Sequence, residues 1–284
     1  MLPALMASRA TPRKPLVICA RRGLLPLHLR EIWAYRDLLV ILAGRDVKLR
    51  YKQTALGVMW VVLQPLAATL IFAVIFGRFA SLPSEGSPYV LFVFAGLLPW
   101  NFVAGTIQRA GNSLIADSQL VSKVYFPRLL IPLSSTGAVL IDFMVTLMVM
   151  IALMAFYRIQ PTAHLIALPL FLLLAVVIAT GVSLWVSALN VRYRDFTYAL
   201  PFLLQVWLYA TPVAYASTLV PERFRALYGL NPAVGLTEGF RWALLGHATL
   251  TPSLLGVTVA ASLASLLSGA LAFRWVERSF ADML

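Results

Sequence analysis

The groups in this chain that could do chemistry are few and scattered. His28, His164 and His247 lie far apart, and Cys19 is the single cysteine, so neither a metal-site spacing nor an intramolecular disulfide is available. None of Lys14, Lys48, Lys52 and Lys123 follows a glycine. That removes the GxxxxGK[ST] loop by which a chain cradles ATP phosphates, and HExxH, GxSxG and CxxC are absent too. No catalytic, cofactor-binding or metal-ligating residue is therefore assigned. Two carboxylate and guanidinium pairs remain, Glu222 with Arg225 and Glu238 with Arg241, each three apart and able to neutralise on one helix face. Asp142 stands alone in an apolar stretch with no basic residue beside it, and reads either as a hydrogen-bonded packing residue or as part of an ion path.

The elements that carry these groups are set by composition. Hydrophobic residues make up 61% of the 284, charged residues 12%, and mean hydropathy is +0.85, values that a water-soluble fold cannot accommodate. The net charge of +12 would suit nucleic acid only if gathered on one surface, whereas here the basic residues flank apolar runs. A helix crosses a bilayer core in about 20 residues. Six stretches meet that length, near 58–77, 89–107, 134–157, 165–189, 198–219 and 253–275. The expected fold is all-α and integral to the membrane, with six transmembrane helices.

Positively charged loops stay in the cytoplasm. With both termini inside, 18 of the 23 Lys and Arg residues are cytoplasmic, and only Arg78, Arg158, Arg223, Arg225 and Arg241 lie outside. Residues 1–27 read as an uncleaved cytoplasmic extension, because the apolar run Leu2 to Ala7 is too short for a signal-peptide core and its basic residues follow it. Residues 28–48 place Ile32, Tyr35, Leu39 and Leu42 opposite Glu31, Arg36 and Asp37, an amphipathic helix with Trp33 as an anchor. It lies along the membrane interface or packs on a partner domain. Between the fifth and sixth stretches, residues 221–246 read as a helical hairpin, with Asn231 and Pro232 as cap and first turn and Gly246 as the stop. It either re-enters the outer leaflet or caps the surface. Pro65, Pro99, Pro201 and Pro212 break helices near Trp60, Phe72, Phe76, Trp100, Phe102, Trp207, Tyr209 and Tyr215. Those aromatics serve as interface anchors or line a path past which sugar rings slide.

In chain order, Arg50-Tyr51-Lys52 with Leu56-Gly57, Trp60 and Pro65, then Gly96-Leu97-Leu98-Pro99-Trp100, resemble the first two spans of ABC-2 type permeases that export polysaccharides. Lys123-Val124-Tyr125-Phe126-Pro127-Arg128 with Pro132 resembles their loop between spans two and three. Arg192-Tyr193-Arg194-Asp195, Thr211-Pro212-Val213 with Tyr215, and Asn231-Pro232 with Glu238 and Arg241 complete the pattern over roughly residues 30–280. The nearest likeness is to membrane subunits of lipopolysaccharide O-antigen exporters of the Wzm type, with teichoic-acid and capsule permeases next.

That resemblance implies a bacterial inner-membrane homodimer bound to two copies of a separate P-loop ATPase, which holds the ATP and Mg, and an undecaprenyl-linked polysaccharide as cargo. It implies that the loop within 109–133 couples to the ATPase through Asp117, Leu120, Lys123, Tyr125, Phe126 and Arg128, beside the interface helix with Trp33, Arg36 and Asp37. Spans one and five, with Trp60, Phe72, Phe76, Trp207, Tyr209 and Tyr215, would line the path. Asn231, Pro232, Glu238 and Arg241 would form the outer gate. Export of another cargo and a membrane enzyme or scaffold are the alternatives.

Overall fold

The computed structural model describes residues 33–52, 57–124, 126–193, 195–246 and 250–277. Among them every regular element is a helix. The 1–27 extension, the start of the interface helix and Tyr125 lie outside the described residues.

The first helix, α1 (Arg36–Lys52), runs four residues past the predicted end at 48. Its Leu42 is buried, and Tyr35, Leu38 and Leu39 pack beside it onto a cluster built from Leu114, Leu129, Leu130 and Phe273. Helix α2 (Val58–Phe72) continues as a π-helical segment, Ala73–Phe79, and α3 runs from Tyr89 to Ala116. At 28 residues α3 is about 42 Å long, more than a bilayer core of ~30 Å. Arg109 therefore stands in a helix rather than in the cytoplasmic loop expected from 109 onward. A short helix, α4 (Ser118–Lys123), connects to α5 (Leu130–Phe156). After a 3₁₀ turn at Ala163–Ala167 comes α6 (Leu168–Arg192).

The fifth apolar stretch departs from expectation. Helix α7 is only Phe196–Tyr209, and the backbone from Ala210 to Ala216 turns irregularly before a 3₁₀ turn at Ser217–Leu219. Fourteen residues span about 21 Å, short of a full crossing. Pro212, which lacks an N–H and restricts the residue before it, is the local reason the helix does not reach 219. Helices α8 (Glu222–Gly229), α9 (Pro232–Leu245) and α10 (Pro252–Glu277) follow. Five helices among the described residues are long and apolar enough to cross a membrane: α2 with its π segment, α3, α5, α6 with its 3₁₀ turn, and α10.

Helix α3 is the hub. Its apolar window is 78% buried, against 17% for the first span, so α3 is surrounded by protein while α2 shows most of its surface outward. Helix α6 packs on both α3 and α10, through small residues that let backbones approach. A Cβ on Gly269 would sit 2.1 Å from the Gly181 carbonyl oxygen, so only glycine permits the α6 and α10 contact. Between α3 and α6, Asn190 donates to the Gly111 carbonyl at 2.9 Å and Ser187 to that of Ala110 at 2.7 Å. The helices alternate, so α1, α4 and the ends of α3, α6 and α10 gather with Arg45, Lys123, Arg128 and Arg192 at one basic end. The start of α3 lies at the other end, with α9 packed against it.

Candidate functional site: a lever at the basic end, a cavity and a braced break

At the basic end α4 hangs between the second and third long helices and is held to α1. Arg45 of α1 donates to Asp117 at 2.6 Å and to its neighbour Asp46 at 2.9 Å. The hydrogen bond to Asp117 holds the Arg45 guanidinium above its ordinary pKa, so the tie stays ionic. Phe126 is buried against Leu129, Leu130 and Phe273, and Leu120 packs at the edge of that cluster. Arg128 donates to the Glu277 carbonyl at 2.9 Å, fastening the loop to the end of α10. Lys123 is exposed at the tip. Of the predicted coupling residues, then, Asp117, Leu120, Phe126 and Arg128 brace the element and Lys123 faces outward. Trp33 is 69% exposed, with Arg36 lying 5.5 Å over its ring and 3.8 Å from Asp37.

The end of α1 reaches into the bundle. Arg50 forms an ion pair with Asp142 of α5, and Tyr51 donates its hydroxyl to the same carboxylate. Burial, then this hydrogen bond, pushes the Tyr51 phenol up to about 12, so it remains a donor at neutral pH. The expectation that Asp142 has no basic partner is therefore corrected. Its partner comes from 92 positions earlier in the chain, a distance at which no sequence pattern operates. Asp142 also borders a cavity of about 390 Å³ between α2, α3, α5 and α7, to which Arg109, Asn101 and Gln205 contribute.

At the other end the interrupted fifth stretch exposes carbonyls that no helix satisfies, and at membrane depth such groups must find partners inside the protein. Each of four does. Ala210 accepts from Asn231 at 3.1 Å, Val213 from Arg241 at 2.7 Å, Ala214 from the Tyr89 hydroxyl, and Tyr215 from Arg241 at 3.5 Å. Arg241 also donates to the Phe92 carbonyl at 3.2 Å and to Glu238 at 3.2 Å, with its guanidinium 3.6 Å from the Phe92 ring. Four hydrogen bonds from a five-donor fork explain how a fully buried Arg is tolerated. Gly96 makes the room, since a Cβ there would meet the guanidinium at 3.0 Å and the Val213 oxygen at 3.2 Å.

Asn231 has two roles. Its side chain caps α9 by accepting from Ala233 at 3.1 Å, as the Asn231-Pro232 pair indicates, and also accepts the Trp207 indole N–H at 2.9 Å. Trp207 packs edge-on against Trp100 of α3, 5.6 Å between ring centres, so it ties α7 to α3 as well as to the hairpin. Tyr228 of α8 donates to Tyr215, which donates to the Tyr209 carbonyl at 3.2 Å. Among the expected path residues, Trp60 and Tyr209 are mostly exposed, and Phe72 and Phe76 pair at 5.8 Å on the α2 side. Of the two helices of the hairpin, α9 is buried on nearly every side against α3, α6 and α10, while α8 is largely exposed. Arg109, Arg50, Tyr51 and Tyr89 were not among the sequence candidates. Arg109 could have been found, because it lies only twenty residues into an apolar helix that begins at Tyr89.

Comparison with known proteins agrees with this architecture. Residues 37–245 match the ABC-2 type transporter family. The chain is 29% identical over 249 residues to an O-antigen export system permease protein RfbA of Klebsiella pneumoniae, covering 87% of this chain and 95% of the relative. It is 29% identical over 257 residues to an RfbA of Myxococcus xanthus bearing the same description, covering 90% and 98%. The polysialic acid transport protein KpsM of Escherichia coli is 22% identical over 206 residues, covering 71% and 78%. With the match extending from α1 through the lever and the braced break to the end of α9, the chain belongs to the ABC-2 type transporter family.

Proposed function

We propose that the chain is the permease subunit of an ATP-driven exporter that moves a lipid-linked, O-antigen-like polysaccharide outward across the bacterial inner membrane. Two copies form the route and two copies of a P-loop ATPase, holding ATP and Mg, bind the basic end. That end faces the cytoplasm with both termini, and α7 with the irregular segment after it makes the sixth crossing. The hairpin α8 and α9 re-enters as an outer gate.

The observation that carries this reading is the braced lever. Helix α4 is tied to α1 by Arg45 and Asp117, to the core by Phe126 and to α10 by Arg128, and leaves Lys123 outward. A rigid short helix at the end of two long spans is what converts a neighbouring subunit's motion into a shift of packed helices. The relatives described as O-antigen export permeases, aligned along 95–98% of their lengths, support the cargo class. The relative described as a polysialic acid transporter favours a second reading, in which the glycan is capsular.

The test is to purify the chain together with its ATPase and to delete it in cells. We expect a complex with ATP turnover, and lipid-linked glycan retained inside the deletion strain. Turnover by the isolated chain, or unchanged surface glycan, overturns the reading. Lys123→Glu is expected to lower ATPase yield in that complex severalfold while membrane insertion stays normal. It is the cleaner variant, because Arg128→Glu would also release α10. Replacing Tyr209, which is exposed and bears on no gate bond through its ring, by Ala should reduce export more than assembly.

A further inference from the structure

The cavity between α2, α3, α5 and α7 contains more positive charge than its own carboxylate balances. Two guanidinium groups, Arg50 and Arg109, border it with one acid, Asp142. Arg50 and Asp142 are paired. Arg109, half-buried on α3, makes no ion pair or hydrogen bond with any described residue, although its charge acts on Arg50, Tyr51 and Asp142. A charged residue inside a spanning helix is costly to insert. Such residues ordinarily find a partner within the bundle or mark a ligand or ion pathway. Among the described residues none pairs with Arg109, and the cavity it borders is also lined by amide side chains, Gln64, Asn101, Gln108 and Gln205, whose N–H groups can donate to oxyanions.

We propose that this cavity binds a phosphate ester group, through the Arg109 and Arg50 guanidinium groups with the lining amides as further donors. A guanidinium fork matches phosphate oxygens in two parallel hydrogen bonds, and a half-buried setting strengthens them relative to water. Asp142 holds Arg50 in place and leaves the site at a net single positive charge, so one bound anion neutralises it. The volume of about 390 Å³ lies within the roughly 300–1,000 Å³ of small-ligand sites. Residues of α2 and α7 line the cavity, and both helices carry exposed apolar side chains, Leu63 on α2 and Leu203 and Val206 on α7, on which the hydrocarbon chain of the same molecule can lie while its phosphate enters. The phosphate comes from the lipid-linked end of the cargo or from an anionic phospholipid. The site deepens the export reading and rests on it only for the first of these sources.

The test uses the full chain in phosphatidylcholine nanodiscs with farnesyl diphosphate as probe and farnesol as control, read by calorimetric titration. We expect binding of the diphosphate and not of the alcohol, weakened at least tenfold by Arg109→Gln and by a smaller factor in Gln205→Leu, whose exposed position leaves folding intact. Equal affinity in wild type and Arg109→Gln, equal affinity for the alcohol, or no binding by the wild type overturns the proposal. Adding phosphatidylglycerol to the nanodiscs separates the sources. Displacement of the probe by it, lost in Arg109→Gln, assigns the site to the phospholipid, and persistence of probe binding assigns it to the cargo. The export reading fails independently, on surface glycan in the deletion strain, whatever these titrations return.

Discussion

Two ion pairs in the hairpin have the same chemistry in the sequence and opposite fates in the fold. Glu222 and Arg225 on α8 are three residues apart, acid first, and so are Glu238 and Arg241 on α9. The first pair sits at 3.4 Å with side chains 88% and 52% exposed; the second sits at 3.2 Å with both fully buried. In water a pair of this kind is worth little, because solvent already screens each charge. Inside the bundle the same pair is a structural joint, since Arg241 carries the otherwise unsatisfied carbonyls of Val213 and Tyr215 and a bond to the Phe92 carbonyl of α3 as well as Glu238. The spacing makes the salt bridge; what else the guanidinium can reach decides its importance.

The largest effect that tests this contrast is Arg241→Met, which removes the ion-pair partner of Glu238 and leaves the carbonyls of Val213 and Tyr215 without a donor. We expect a loss of about 3–5 kcal/mol, read as a lowered thermal midpoint in detergent, with the double change Glu238→Leu and Arg241→Met recovering part of it. If Arg241→Met unfolds at the wild-type temperature, the brace is not a joint. Asn231→Ala should come next, costing about 1–2 kcal/mol for the lost α9 cap and the broken links to Trp207 and Ala210. Arg225→Gln is expected at the small end, within about 0.5 kcal/mol of wild type in the same assay. A larger loss there would mean that α8 is buried by a second subunit or by lipid headgroups.

The same contrast recurs at the basic end. Asp142 reads as a solitary acid in its apolar stretch, yet α1 delivers Arg50 and Tyr51 to it from far upstream. Asp117 likewise reads as a loop residue and finds Arg45 across 72 positions. The cap of α9 was legible because Asn231, Pro232 and Gly246 act on their own backbone within a turn. The early end of α7 was less so: Pro212 signals a break, but apolar residues continue to Leu219, and hydropathy does not register that the carbonyls between them are taken up by Arg241, Asn231 and Tyr89. Arg109 reads as a loop residue because it falls just past the predicted span at 89–107, and only its distance of twenty residues from the helix start hints that α3 continues to Ala116 inside the bundle.

The sequence by itself determined the solvent, the helical class, the long apolar elements and the absence of a nucleotide loop, because hydropathy and backbone caps act over a few residues and need no partner. Only the tertiary structure decided which charges are buried, which helix is central and where the broken span is braced. Those outcomes depend on groups dozens to more than a hundred positions apart meeting at hydrogen-bond distance, and in a low-dielectric interior each such meeting changes the energy of a charge by more than its own sequence neighbours can.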